Sequence, residues 1–289
     1  MIYAGILAAG LGKRMHRQDL PKQFLPLGEK PIIIHTIEQF LINNRIGRVI
    51  IVAPKIWCGY VEDLLTQYPN MGKGIDVICG GENKTESIKY VVDFIKNTHS
   101  VTNEDILLAH DAIRPFVTQR IINDNIDATI AYGAANTSMV TNDAVMVSRD
   151  GKNLDSMPPH EMMYAEQTPQ TYNIVKLTEV LENAVAVGTD LTKISELPRL
   201  YIESGNKMRL VSGEYFNMKI AVNRCPLYFL VFKMSQGFFP QRCLLIGDDE
   251  VFFKTAGSHG KLSFLNCYSF FCFHHTIMTP YGQTSSFPY

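Results

Sequence analysis

Nothing in the C-terminal part of this chain is apolar for long enough to cross a bilayer. Its longest uncharged apolar run, Leu227 to Phe232, is far short of the roughly 20 residues a transmembrane helix needs. Excess charge of one sign is missing too: 27 Lys and Arg stand against 28 Asp and Glu. That balance, with no long Lys/Arg block, leaves no electrostatic footprint for nucleic acid. It does not exclude a small anionic ligand, because the charge of a pocket is a local matter. The six cysteines form no tight CxxC pair, which fits a reduced, cytoplasmic protein. Met1-Ile2-Tyr3-Ala4-Gly5-Ile6-Leu7 lacks the basic start of a signal peptide and reads as a first strand.

What is present is a globular composition, 46% hydrophobic and 19% charged, which excludes disorder throughout. Its 289 residues suffice for one large α/β domain with an appendage, or for two small domains. Up to about residue 220 strands and helices alternate. Tyr3–Leu7, Arg48–Ala53, Asp76–Cys79 and Asp105–Ala109 are short apolar runs that read as buried strands. Pro31–Leu41, the Val61–Tyr68 segment, Thr85–Ile95 and Thr118–Tyr132 carry apolar stripes at helical spacing. Such alternation predicts an α/β fold, a mostly parallel sheet with helices on both faces. Ligands then bind beyond the C-terminal ends of the strands. Residues 143–160 break the rhythm and read as a hairpin turning at Asp150-Gly151, the centre of an arm over about 140–163.

The chemistry sits where those strands end. Leu7-Ala8-Ala9-Gly10-Leu11-Gly12 offers small residues whose successive amides make an anion nest. Met15 stands where a dinucleotide fingerprint needs its third small residue, and no acidic residue closes the second strand, so a nicotinamide oxidoreductase is disfavoured. Lys13, Arg14, Arg17 and Lys22 follow the nest. Cations there suit a triphosphate, whose transfer requires charge neutralised on the reacting phosphorus and on the leaving pyrophosphate. Arg17 is better read as solvated surface charge. Asp111, in His110-Asp111-Ala112-Ile113-Arg114-Pro115-Phe116, suits a Mg²⁺ ligand at a strand end. Arg114 suits either a second phosphate or an ion pair with Asp111. His110 reads as a packed core histidine.

Five ordered motifs make the pattern specific. They are Leu7-Ala8-Ala9-Gly10-x-Gly12-x-Arg14-Met15, Pro21-Lys22-Gln23-Phe24, His110 to Phe116, Gln167-Thr168-Pro169-Gln170 and Asn217-Met218-Lys219-Ile220. Together they resemble the cytidylyltransferases that act on 2-C-methyl-D-erythritol 4-phosphate and on ribitol 5-phosphate. Met1–Leu7 and the His35–Phe40 helix lean toward the ribitol-phosphate branch. The resemblance implies a Rossmann-like nucleotidyltransferase domain over residues 1–221 that joins CTP to a polyol phosphate, ribitol 5-phosphate ahead of the methylerythritol phosphate. It implies that Leu7, Ala8, Ala9, Gly10 and Gly12 cradle the nucleotide, with Gly81, Glu82 and Ser87 recognising cytosine. Arg14, Lys22 and Lys219 would be catalytic, and Asp111 would hold Mg²⁺ or another divalent cation. Arg114, His160 and Thr168 would meet the acceptor, and the arm would make a homodimer.

The chain also departs from that pattern. Lys84 replaces a usual Arg and loses a bidentate fork. Ala144 replaces a usual Thr in the acceptor arm, and His160 a usual Arg that reaches the acceptor phosphate. These changes keep a CTP-binding relic in view as an alternative. After Lys219-Ile220 the family closes with a short acidic amphipathic helix. Here a Phe/Cys-rich tail, 222–289, shows neither period 2 nor period 3.6. A frameshifted or otherwise non-native end is the preferred reading, a small accessory domain the alternative. Cys267, Cys272, His274 and His275 match no common zinc spacing.

Overall fold

A computed structural model describes residues 1–10, 20–71 and 74–220, together with three strands of the tail. A seven-stranded sheet forms its centre. In chain order the strands are β1 (Ile2–Leu7), β4 (Arg48–Ala53), β5 (Ile75–Cys79), β6 (Ile106–Asp111), β7 (Ala134–Val140), β8 (Tyr164–Asn173) and β9 (Arg209–Ser212). A two-residue ladder, β2 (Pro26–Leu27) and β3 (Lys30–Pro31), stands apart. The spatial order is β5-β4-β1-β6-β8-β7-β9. Only β8 runs against the others, antiparallel to both β6 and β7. The mostly parallel sheet expected from the alternation is therefore present.

Both faces of the sheet are covered, and β4 shows why its sequence is apolar throughout. Val49, Ile51 and Ala53 pack into one core cluster, Ile50 and Val52 into the other, the period-2 division of a strand buried on two sides. The first cluster takes the stripes of α1 (Ile32–Leu41), α2 (Cys58–Thr66) and α4 (Gln119–Tyr132). The second takes α3 (Lys84–Thr98), α5 (Ile174–Ala186) and α6 (Leu197–Glu203). Ile88, Val91, Val92 and Ile95 form the buried side of α3, as their spacing predicts. Asn83 begins α3 by accepting the Glu86 amide at 2.8 Å, and α4 ends at Gly133 with φ 88°, a left-handed cap that favours glycine.

One expectation needs correction. Residues 143–160 do not form a regular hairpin: one bridge, Val147 to Ser156, joins the two sides. Asp150 folds the tip, its Oδ1 accepting the amides of Lys152 and Asn153 at 2.8 Å each, so side-chain hydrogen bonds replace a ladder. The tail contains three strands, β10 (Leu230–Lys233), β11 (Arg242–Ile246) and β12 (Val251–Thr255), in one sheet. Runs of four or five residues are too short to display a period. By internal contacts the chain divides into two compact units, 1–231 with 244–253, and 232–243 with 254–289.

Candidate active site

The sheet changes winding direction at β1. From β1 the chain moves outward through β4 to β5, then returns to place β6 on the other side of β1. Neighbouring loops part at such a point and leave a crevice at the C-terminal strand ends. Leu7 of β1 and Asp111 of β6 are register partners there. A cavity of about 230 Å³ opens beside them. Its floor is Leu7, Ala8, Ala9 and Gly10, its far wall Gly81, Glu82 and Ser87, and its cationic rim Lys22, Lys84 and Lys219.

Each wall is fixed by particular bonds. Gln23, buried, donates through Nε2 to the Ala8 carbonyl at 2.6 Å and so holds the turn after β1. On the far wall the Gly81 amide donates to Ser87 Oγ at 3.1 Å, and the Glu82 amide to Glu86 Oε2 at 2.6 Å. Those bonds tie the segment to the first turn of α3. Asn83 anchors it further, donating to the carbonyls of Leu191, Thr192 and Ile194. Gly80 is wedged: a Cβ there would lie 2.4 Å from Ala9 Cβ and 3.0 Å from Val52 Cγ1.

Asp111 is the electrostatic centre. Lys219 Nζ lies 3.0 Å from its Oδ2, Arg114 Nε 3.6 Å from Oδ2, and Lys84 Nζ 3.8 Å from Oδ1. Burial works to raise the carboxyl pKa, and Lys84, Lys219 and Arg114 more than reverse that, holding it well below the usual carboxylate range. The group is thus a fixed anion wrapped by three cations, with a local surplus of positive charge toward the cavity. Among the described residues no cluster of three His, Cys, Asp or Glu side chains exists to bind a metal alone.

A directional relay sets Asp111 in place. His110 Nε2 lies 3.1 Å from the Arg114 carbonyl and must be its donor, so Nδ1 accepts from Thr168 Oγ1 at 3.0 Å. Thr168 Oγ1 in turn accepts the Asp111 amide at 3.2 Å. Burial pushes the His110 pKa down to about 4. A histidine neutral in the fold but protonated when unfolded contributes stability above about pH 6.5, lost as pH falls through about 4. We expect up to the order of 3 kcal/mol of acid-linked destabilisation from this residue. Urea midpoints between pH 7 and pH 4 measure it, and equal slopes for wild type and His110→Gln would discard it.

Ten of the residues singled out from sequence line this one cavity: Leu7, Ala8, Ala9, Gly10, Lys22, Gly81, Glu82, Ser87, Asp111 and Lys219. Gly12 and Arg14 lie outside the described residues. Arg114 and Thr168 do not line it. The Arg114 guanidinium is spent on Asp111 and, through Nη1, on the Asn217 carbonyl at 2.7 Å, and Thr168 is buried in the relay. His160 sits exposed in a short turn at the base of the arm, and Ala144 is likewise exposed. Lys84, noted in the sequence only as a departure, proves to be one of the three cations, a role spacing cannot reveal because the start of α3 meets the end of β6 only through the crossover between them.

A loop of small residues after β1 and a carboxylate wrapped by three cations, meeting at the switch point of a mostly parallel sheet, fit the class of α/β nucleotidyltransferases. The family model described as IspD, 2-C-methyl-D-erythritol 4-phosphate cytidylyltransferase, matches residues 2–225. The chain belongs to that family, whose members are cytidylyltransferases. Solved structures carry the same fold. The 4-diphosphocytidyl-2C-methyl-D-erythritol synthase of Anaerococcus prevotii is 23% identical with a TM-score of 0.63, covering 76% of this chain and 91% of its own. The 2-C-methyl-D-erythritol 4-phosphate cytidylyltransferase of Francisella tularensis is 23% identical with a TM-score of 0.62, covering 76% and 94%. That of Thermus thermophilus is 24% identical with a TM-score of 0.57, covering 76% and 93%. The family match does not distinguish the ribitol-phosphate branch toward which Met1–Leu7 and the His35–Phe40 helix leaned. Among the described residues no helix is long and apolar enough to cross a membrane.

Proposed function

We propose that the chain transfers CMP from CTP to 2-C-methyl-D-erythritol 4-phosphate and releases pyrophosphate. The observation that carries this reading is Asp111 wrapped by Lys84, Arg114 and Lys219 beside the Ala8–Gly10 nest, in a chain matched to that family over residues 2–225. The nest amides and Lys22 receive the CTP phosphates, and Arg14 and Gly12 join them in this reading. Carbonyls of the Gly81-Glu82 segment are the acceptors a cytosine amino group requires. A phosphate oxygen of the acceptor attacks the α-phosphorus in line, and the bond to the β-phosphate oxygen breaks. The attacking phosphate oxygen is ionised near neutral pH, so no general base is needed. Catalysis is positioning and charge neutralisation, with Lys219 and Lys22 steadying charge at the α-phosphate.

The donor set fits Mg²⁺ or another divalent cation. Asp111 supplies one carboxylate, kept ionised by Lys84, Lys219 and Arg114, and nucleotide-bound Mg²⁺ takes one or two carboxylates plus phosphate oxygens and water. When bound, the ion neutralises phosphate charge. The acceptor reaches Asp111 from the side of the arm, where Ala144 and His160 stand. We also infer a homodimer through the arm, whose Met146, Leu154, Met157 and Met162 are exposed apolar side chains, and a cytoplasmic setting where CTP is present.

Ribitol 5-phosphate is the second reading, favoured by the first strand and the His35–Phe40 helix. Pyrophosphate release from CTP and Mg²⁺ is measured with the two acceptors in parallel. Release with the methylerythritol phosphate is the expected result, and release with ribitol 5-phosphate alone moves the assignment to the second reading. Release with neither, while CTP still binds, overturns both and leaves a nucleotide-binding relic.

A further inference from the structure

We propose that Cys58 and Cys79 form an oxidative modification site, a thiol pair that hydroperoxides close into a reversible disulfide and so weaken the CTP pocket. Cys58 opens α2 and Cys79 closes β5, yet their sulfurs lie 2.9 Å apart, against about 2.0 Å in a formed disulfide. Both are free thiols. Two backbone contacts aim Cys58 at its partner. Its Sγ lies 3.5 Å from the Pro54 carbonyl and 3.9 Å from that of Ala53, and Ala53 is the register partner of Cys79. The pair therefore spans the exits of two adjacent parallel strands rather than a loose loop.

The two sulfurs are unequal, which orders the chemistry. Cys79 is exposed and Cys58 is partly buried. Burial, followed by the hydrogen bond and charge of Cys79, pushes the Cys58 thiol up to about 12, so it reacts second. The Cys79 thiolate attacks one peroxide oxygen, the O–O bond breaks, and Cys79 becomes a sulfenic acid as the other oxygen leaves with a proton. Cys58 Sγ then attacks Cys79 Sγ. The S–O bond breaks, and the Cys58 proton leaves with that oxygen as water. Two thiols are oxidised by two electrons, and one hydroperoxide is reduced to water and an alcohol, or to two waters for hydrogen peroxide.

Closing the bond reaches the pocket because Gly80 follows Cys79 directly. Gly80 donates its amide to the Ala53 carbonyl at 2.7 Å and has no room toward Ala9, whose Cβ would lie 2.4 Å from an added methyl. Drawing the sulfurs together shifts Cys79, and with it the start of the Gly80–Glu82 wall, from its set position opposite Ala9. Displacements of about 1 Å in such sites are costly.

The test treats the full chain with hydrogen peroxide, maps disulfide-linked peptides, and measures CTP binding directly, without acceptor. Direct binding keeps the outcome separate from the choice of acceptor. A Cys58–Cys79 linked peptide is expected, with CTP affinity reduced at least about threefold and restored by dithiothreitol. Cys58→Ser should remove both effects. A second variant, with Cys225, Cys243, Cys267 and Cys272 all replaced by Ser, should retain them. Absence of the linked peptide overturns the proposal, as does a linked peptide with unchanged CTP affinity, or an affinity loss that persists in Cys58→Ser.

Discussion

Replacing Asp111 by Asn is expected to lower kcat by about 10²- to 10³-fold, the scale for losing one preorganised electrostatic group, while CTP binding is kept or tightened. Asn preserves the shape of the side chain and removes its charge. Lys84, Arg114 and Lys219, held 3.8, 3.6 and 3.0 Å from the carboxylate, then face the nucleotide without their counter-ion. More positive charge favours a polyanion, so KM for CTP should not rise. The anion that would fix a divalent cation and orient Lys219 is gone, so turnover should fall. Steady-state kinetics with CTP varied, beside a thermal melt, separates this from a purely structural role. A lowered melting temperature with near-normal kcat would show that Asp111 only neutralises its neighbours.

A single methyl at Gly80 should cost nearly as much by a steric route. Its Cβ would lie 2.4 Å from Ala9 Cβ, 3.0 Å from Val52 Cγ1 and 3.2 Å from Ser87 Oγ. Ala9 has no rotamer to give, so relief requires the exits of β1 and β5 to separate, and those exits are opposite walls of the cavity. Overpacking of this kind costs about 1–3 kcal/mol. A shift near 1 Å at the nest is expected to raise KM for CTP at least about tenfold. Gly81→Ala is the matched comparison. The atoms nearest its methyl would all belong to the Glu86 side chain, which can swing away at the loss of its bond to the Glu82 amide. If both variants show equal KM values, the wedge at Gly80 has no functional weight.

Why these residues and not others were readable follows from how each announces itself. The nest, Lys22, Asp111 and Lys219 lie within short ordered motifs, each directly before or after a strand or in a fixed segment, so local spacing exposes them. Lys84 joins Asp111 only because α3 crosses over β1 and β4, a contact that no local pattern encodes. The half of the sheet containing β7, β8 and β9 was least legible. β8 reads Tyr-Ala-Glu-Gln-Thr-Pro-Gln-Thr-Tyr-Asn, with buried Gln167, Thr168, Gln170 and Thr171 in place of apolar residues. Three of those groups are hydrogen-bonded to remote elements: Thr171 to Asn125, Thr168 to His110, and Gln167 to Asn217. A strand stabilised by buried polar pairing carries no hydrophobic period.

By itself the sequence determined the alternating α/β plan, the small-residue turn after the first strand and the position of Asp111 at a strand end. Apolar periodicity and glycine chemistry act over a few residues, and a single sequence displays them directly. The tertiary structure alone decided that three cations from three different elements wrap Asp111, and that Arg114 and Thr168 are spent holding it rather than lining the cavity. It also brought Cys58 against Cys79. Those relations depend on the order and register of parallel strands, in which residues tens of positions apart become neighbours.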